Sequence, residues 1–125
     1  MTRIIITDDS ALARMFIRRC LEIAGPELSE FIELDNGAKA LECLGSTDVD
    51  LVVTDLTMPQ MDGLELLRQM SENPTMQNTP VLVVTSAGNT AQHEEIRSLG
   101  AKVLQKPVTP PMIAEALAEL LPESV

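Results

Sequence analysis

In the stretch Ile4-Ile5-Ile6-Thr7-Asp8-Asp9-Ser10 the apolar run Ile4-Ile5-Ile6 ends at two adjacent acids. The pattern recurs along the chain. Leu51-Val52-Val53 ends at Asp55, Val81-Leu82-Val83-Val84 ends at Thr85-Ser86, and Val103-Leu104 ends at Lys106-Pro107. Short apolar runs without polar alternation are the pattern of strands buried on both faces, as in a parallel sheet. All strands of such a sheet point the same way, so the residues that follow the runs meet at one edge. That edge is the carboxyl-end crevice where open α/β folds bind ligands. Two acids, a third acid, a hydroxyl and an ammonium gathered there suggest a divalent-cation site beside a phosphoryl group.

Between the runs the hydrophobic period lengthens to that of helices. Leu12, Met15, Phe16, Cys20 and Ile23 form one apolar stripe, and Ala40, Leu41 and Leu44 a second. Leu64, Leu67 and Met70 form a third; Met112, Ile113, Ala116, Leu117 and Leu120 form the last. Residues 89–99 carry a weaker pattern anchored by Ile96 and Leu99. Ser10 is placed to cap the first helix and Gly25-Pro26 to end it. Asn36-Gly37 opens the second helix, Asn73-Pro74 closes the third, and Thr109 caps the last, with Pro110 and Pro111 in its first turn. Strands are expected over residues 3–7, 30–34, 49–54, 80–84 and 101–105. Alternation with helices implies right-handed crossovers and a five-stranded parallel sheet in an α/β fold.

At 125 residues the chain is long enough to bury a full core, and it shows no internal repeat, low-complexity tract or linker. Residues 1–125 are therefore expected to form one domain, with residues 122–125 closing a complete protein just after the fifth helix. A composition of 45% apolar and 22% charged residues reads as soluble and globular. The net charge of −10 argues against binding a nucleic-acid backbone, and the absence of Trp and Tyr removes the usual platforms for stacking bases. A protein or a small cationic partner fits that charge better. No apolar run approaches the length of a membrane span and none follows a basic start, so a cytoplasmic location without membrane contact is expected. Cys20 and Cys43 fall within predicted helices and read as free thiols of a reducing compartment.

Three crowded carboxylates repel, and a site that keeps Asp8, Asp9 and Asp55 ionised needs a cation to offset their charge. Magnesium suits it, because it takes oxygen ligands and keeps several waters in a shallow site. No His, Cys or Met cluster supports zinc or copper. The bland alternative is that the acids cap helices, but Ser10 already serves the first one. Lys106 would neutralise a carboxylate at rest or hold a phosphoryl oxygen. Thr85 would supply a hydroxyl; Ser86 could substitute, but Thr85 is nearer the strand. Two chemistries fit these residues, phosphate binding and phosphoryl transfer to a carboxylate to give an acyl phosphate. In the second, positioning and charge stabilisation do most of the catalytic work. The charge added by the modification would draw a mobile hydroxyl or loop toward it, which makes a switch rather than a metabolic catalyst.

Thr7-Asp8-Asp9-Ser10, Asp35-Asn36-Gly37, Asp55-Leu56-Thr57-Met58-Pro59, Met61-Asp62-Gly63, Thr85-Ser86-Ala87, Gly100-Ala101 and Lys106-Pro107 together resemble the receiver domains of bacterial two-component response regulators. The likeness runs essentially end to end. It implies a flavodoxin-like doubly wound (βα)5 fold with strand order 2-1-3-4-5. By position, Asp55 resembles the phosphoacceptor, Asp8 and Asp9 the acidic pair that holds Mg2+, and Thr57 the residue whose backbone carbonyl completes the metal ligands. Asp9 would be the more direct metal ligand of the pair. Thr85 resembles the switch hydroxyl and Lys106 the phosphate-binding lysine, followed by a cis bond to Pro107. In the family a histidine kinase or a histidine-containing phosphotransfer protein donates the phosphoryl group. The receiver catalyses both transfer and later hydrolysis, which is not the work of a conventional enzyme, and it signals to a downstream protein.

Asp8-Asp9-Ser10 followed by Arg14 and Arg18 is similar to the opening of chemotaxis-type single-domain regulators. The two arginines lie one turn apart, placed to meet an acidic patch on a phosphodonor or to form a solvated helix face. Several positions depart from the family pattern. Val103 stands where an aromatic is usual, Val108 where Phe is common, and Lys39 where a Glu is usual near Asn36-Gly37. His93 matches no motif position and is expected on the exposed face of the fourth helix. Two rivals to a phosphorylation switch are a magnesium-dependent phosphatase with an aspartyl nucleophile and a receiver-like scaffold that binds partners without phosphorylation. The first usually needs an acid two residues after the nucleophile, where this chain has Thr57; the second would be marked by loss of Asp55, the acidic pair or Lys106, and all are present.

Overall fold

Each apolar run is a strand, and each strand is followed by a helix. The computed structural model describes residues 2–25 and 28–121, among which five strands and five helices alternate. In chain order they are β1 (Thr2–Thr7), α1 (Ala11–Ala24), β2 (Leu28–Leu34), α2 (Gly37–Ser46), β3 (Leu51–Thr54), α3 (Gly63–Glu72), β4 (Val81–Thr85), α4 (Thr90–Ser98), β5 (Lys102–Gln105) and α5 (Pro110–Leu120). All strand pairs are parallel and the sheet order is β2-β1-β3-β4-β5, as the family resemblance implied. Pro26 and residues 122–125, to which the sequence reading assigned the stop of the first helix and the end of the chain, lie outside the described residues.

The side-chain alternation of the central strands divides the core into two layers. Ile4, Ile6, Leu51, Val53, Leu82 and Val84 face α1 and α5, where Ile17, Leu21, Ile113 and Leu117 meet them. Ile5, Val52, Val81 and Val83 face the other side, against Ala40, Leu64, Leu67, Met70 and Ile96 of α2, α3 and α4. With both faces covered, no residue of β3 or β4 is left exposed, which explains why those runs lack polar alternation.

Helix starts follow the expected caps. Ser10 Oγ accepts from the Ala13 amide at 3.2 Å, Asn36 Oδ1 from Lys39 at 2.9 Å, and Thr109 Oγ1 from Met112 at 3.4 Å. The weakly patterned α4 is secured at its start by a capping box between Asn89 and Gln92. Strand limits shift slightly from the sequence reading. Asp50 precedes β3: its amide donates to the Arg3 carbonyl, but the Arg3 amide is taken by the Asp50 carboxylate rather than by a main-chain carbonyl. Pro80, which lacks an N–H, stays outside β4, whereas Thr85 lies inside it.

The larger correction concerns α1. Of the stripe Leu12, Met15, Phe16, Cys20 and Ile23, Cys20 alone is buried, while Leu12 and Phe16 are 70% and 51% exposed. The helix packs through Ile17, Cys20 and Leu21 instead. It carries apolar residues around most of its circumference, so two stripes have the same period, and α5 with the sheet takes the inner one. Truncation distinguishes the two faces. Ile17→Ala is expected to lower unfolding stability in urea by about 2–4 kcal/mol through the cavity it leaves. Phe16→Ala, though it removes a larger side chain, is expected to cost under about 0.5 kcal/mol, as surface substitutions do.

Candidate functional site

Parallel register sets the positions of the acids. Thr7 pairs with Thr54, and the Asp55 amide donates to the Thr7 carbonyl at 3.0 Å, so Asp8 and Asp55 leave β1 and β3 side by side. The sheet order reverses between these two strands, which opens a crevice at their carboxyl ends. On the far side Thr85 pairs with Gln105, and the Lys106 amide donates to the Thr85 carbonyl at 2.9 Å. The expected cis bond joins Lys106 to Pro107. Gly63, at the start of α3, presses on the backbone of Asp55: a Cβ there would collide with the Asp55 carbonyl oxygen.

Carboxylate oxygens of Asp8, Asp9 and Asp55 lie within 4.8 Å of one another. Lys106 Nζ stands between two of the acids, 3.3 Å from Asp8 Oδ2 and 3.4 Å from Asp55 Oδ2. The opposite oxygens take local amides: Asp8 Oδ1 accepts from Ser10 at 2.9 Å, and Asp55 Oδ1 from Leu56 at 2.7 Å. Asp8 is buried, Asp55 is half-buried and Asp9 is exposed. Burial pushes the Asp8 carboxyl above its usual range and the Asp55 charge adds to this, outweighing the Ser10 amide and Lys106. Burial acts on Lys106 to lower its pKa, but the two facing carboxylates overcome it and the ammonium is held above its usual value. The shared ion pair therefore favours charge on the better-solvated lysine while the deeper acid still bears a net cost.

Thr85 is fully buried, and its Oγ1 accepts from the Ala87 amide at 3.0 Å. Thr57 lies two residues beyond Asp55 in the exposed β3–α3 loop. All donors of the acidic set are oxygens, which fits a hard cation such as magnesium. Oxygens bound to one such ion lie at most about 4.2 Å apart, so a set already within 4.8 Å would need small side-chain rotations. Among the described residues no other cluster of potential ligands of this kind occurs.

Three side chains sit differently from their sequence reading. His93 is partly buried, with Nε2 3.2 Å from the Ala87 carbonyl oxygen, where it covers the β4–α4 loop. Arg18 pairs with Glu33 at 3.2 Å and lies over the Phe31 ring, 4.9 Å from its centroid. Arg14 turns inward, and its Nη1 donates to the Asp8 carbonyl at 2.6 Å. Arg14 is thus engaged within the chain, while Arg18 holds Glu33 on a solvated face of α1, its side chain 42% exposed. Their spacing of four gave no sign of this, because Glu33 comes from a strand in the neighbouring βα unit. Beside them the exposed Leu12, Met15 and Phe16 form an apolar groove with Pro107 and Val108, and Lys106 belongs to its lining.

The sequence model of the response regulator receiver domain matches residues 4–118. A chemotaxis protein CheY homolog of Campylobacter jejuni is 32% identical over 123 residues, covering 95% of this chain and 92% of the relative. Chemotaxis protein CheY of Thermotoga maritima is 33% identical over 117 residues, covering 92% and 93%. Among solved structures, chemotaxis protein CheY4 of Vibrio cholerae superposes with a TM-score of 0.82 at 26% identity, covering 97% of this chain and 99% of that one.

The raised Asp8 carboxyl has a measurable consequence in metal-free protein. A folded-state pKa above the unfolded one means that the contribution is favourable at low pH and is lost as pH rises through the folded value. Asp8→Asn is therefore expected to raise the thermal midpoint at pH 7 by a few degrees, and the gain should shrink as pH falls toward 4. Thermal melts across that range check it; a midpoint lowered by the substitution at pH 7 would contradict the assignment.

Proposed function

The chain belongs to the response regulator receiver domain family, and from that premise we propose that residues 1–125 act as a phosphorylation switch whose acceptor is Asp55. The observation that carries the proposal is the Lys106 ammonium shared between Asp8 and Asp55. A cation already bonded to the acceptor carboxylate is placed to hold an oxygen of a phosphoryl group arriving there. The donor is a phosphohistidine on a kinase or phosphotransfer protein. An Asp55 carboxylate oxygen attacks phosphorus, the phosphorus–nitrogen bond breaks, and the histidine leaves with its electron pair, giving an acyl phosphate.

Asp8, Asp9, Asp55 and the Thr57 carbonyl would hold Mg2+, which would offset the charge of the acids and of the incoming group. With that charge offset, Lys106, bonded here to Asp8 and Asp55, would be free to turn toward the phosphoryl oxygens. The modification adds about 1.5–2 negative charges, and the Thr85 hydroxyl, now an acceptor for Ala87, would turn to donate to it. That rearrangement pulls on the loop that His93 covers and so reaches α4. With Val103 in place of an aromatic, no ring rotation accompanies it. The output is altered binding of a downstream protein in the cytoplasm, and no substrate of a conventional enzyme is turned over.

The phosphodonor is proposed to land on the outer face of α1. The apolar groove there is continuous with Lys106, so a protein seated in it can bring a histidine to the acidic pocket. Arg19, the most exposed of the α1 arginines, suits an acidic rim on that partner.

Intact mass after incubation with acetyl phosphate and magnesium tests the acceptor. One added phosphoryl group, stable to acid and labile to base, is expected in the parent protein and absent from Asp55→Asn or when magnesium is chelated. An unmodified parent, with acetyl phosphate and with phosphohistidine donors alike, would favour a scaffold that works without phosphorylation. Phe16→Ser tests the landing face: transfer from a phosphohistidine protein should fall about tenfold, for loss of a contact of about 1.4 kcal/mol, while labelling by acetyl phosphate is unchanged.

A further inference from the structure

The acidic pair is joined by one peptide plane, and an arginine holds that plane. Arg14 Nη1 donates to the Asp8 carbonyl at 2.6 Å, and this carbonyl shares its plane with the Asp9 amide. Fixing the carbonyl therefore fixes the tilt of the link between the two acids and the directions in which both carboxylates leave it. We propose that Arg14 is a positioning residue for the metal site, setting the Asp8–Asp9 plane so that both carboxylates converge with Asp55. The proposal rests on the reading of the acidic cluster as a magnesium site.

The carbonyl needs such a partner. It falls between the end of β1 at Thr7 and the first backbone bond at the start of α1, from the Arg14 amide to the Ser10 carbonyl at 3.0 Å. Among the described residues no backbone amide donates to it. A charge-assisted bond from a guanidinium is stronger than one between neutral groups, and here it acts on the carbonyl of Asp8 itself, in the peptide that links the two acids.

Arg14 is itself anchored from the side. Its Nε is buried, 3.4 Å from Glu33 Oε1, but without hydrogen-bond geometry. Glu33, on β2, also takes Arg18. The short, well-formed bond of Arg14 is thus the one to Asp8, with Glu33 as the tether. Lys106 and Ser10 hold the Asp8 side chain, while Arg14 holds its main chain.

Charge and geometry make opposite demands, which gives the test a sign. A positive guanidinium near the acids should repel a divalent cation, so deleting it on electrostatic grounds alone would tighten magnesium binding. Loss of positioning would weaken binding, as removal of outer-shell partners does. Magnesium titration by calorimetry, with no phosphodonor present, reads the outcome. Arg14→Ala is expected to weaken binding about tenfold, the low end for such partners. Arg14→Lys, which restores a charged donor, should recover most of the loss. Arg18→Ala, which removes a cation from Glu33 but no bond to Asp8, should leave affinity unchanged or slightly tighter.

With acetyl phosphate, Arg14→Ala should need about ten times more magnesium for the half-maximal rate and retain the rate at saturation. Unchanged or tighter binding in Arg14→Ala, or equal weakening in Arg18→Ala, overturns the role of Arg14. If Arg14→Ala fails to fold, Arg14→Lys decides through the same titration, with a loss of affinity smaller than threefold but measurable expected and tighter binding overturning the proposal. Parent protein that binds no magnesium defeats the metal reading itself, a result distinct from these.

Discussion

Mutual repulsion among three carboxylates is the constraint around which the carboxyl edge of this sheet is organised. Parallel pairing of β1 with β3 puts Asp8 and Asp55 at the same level, and Asp9 follows directly. Nothing in the strand ends relieves that crowding, because Thr7 and Thr54, the last residues of β1 and β3, carry no charge. Relief comes from the opposite end of the chain, where Lys106 follows the last strand and places its ammonium between two of the acids. Burial is a separate cost, and it keeps the Asp8 carboxyl above its usual range even with the lysine in place. A site in which a buried carboxylate still bears a net cost for its charge is receptive to a cation and reorganises when charge is added, as a switch requires.

The rest of the fold supplies rigidity at that edge. Central strands covered on both faces leave little freedom in the platform from which the acids project. The loops are held by contacts of their own. Gly63 allows α3 to approach the Asp55 backbone more closely than any side chain would permit, and the His93 ring covers the loop that follows Thr85. On the α1 side Arg14 ties the turn of the acidic pair to Glu33 of β2, which Arg18 also holds. What α1 offers outward is an apolar stripe that ends beside Lys106.

The sequence by itself determined the alternation of strands and helices and the edge at which Asp8, Asp9, Asp55, Thr85 and Lys106 meet. That was legible because buried parallel strands are written as apolar runs and because caps such as Ser10, Asn36 and Thr109 act on amides a few residues away. Strand order came from family resemblance rather than periodicity, which does not say which strands are neighbours. Tertiary structure alone decided which face of α1 is core, since two stripes of equal period compete and only the shape of the sheet and α5 chooses between them. It alone also decided the partners of Arg14, Arg18 and His93. Each of those contacts depends on where a flexible side chain meets a carbonyl, a carboxylate or a loop from elsewhere, and local spacing carries no record of that distance.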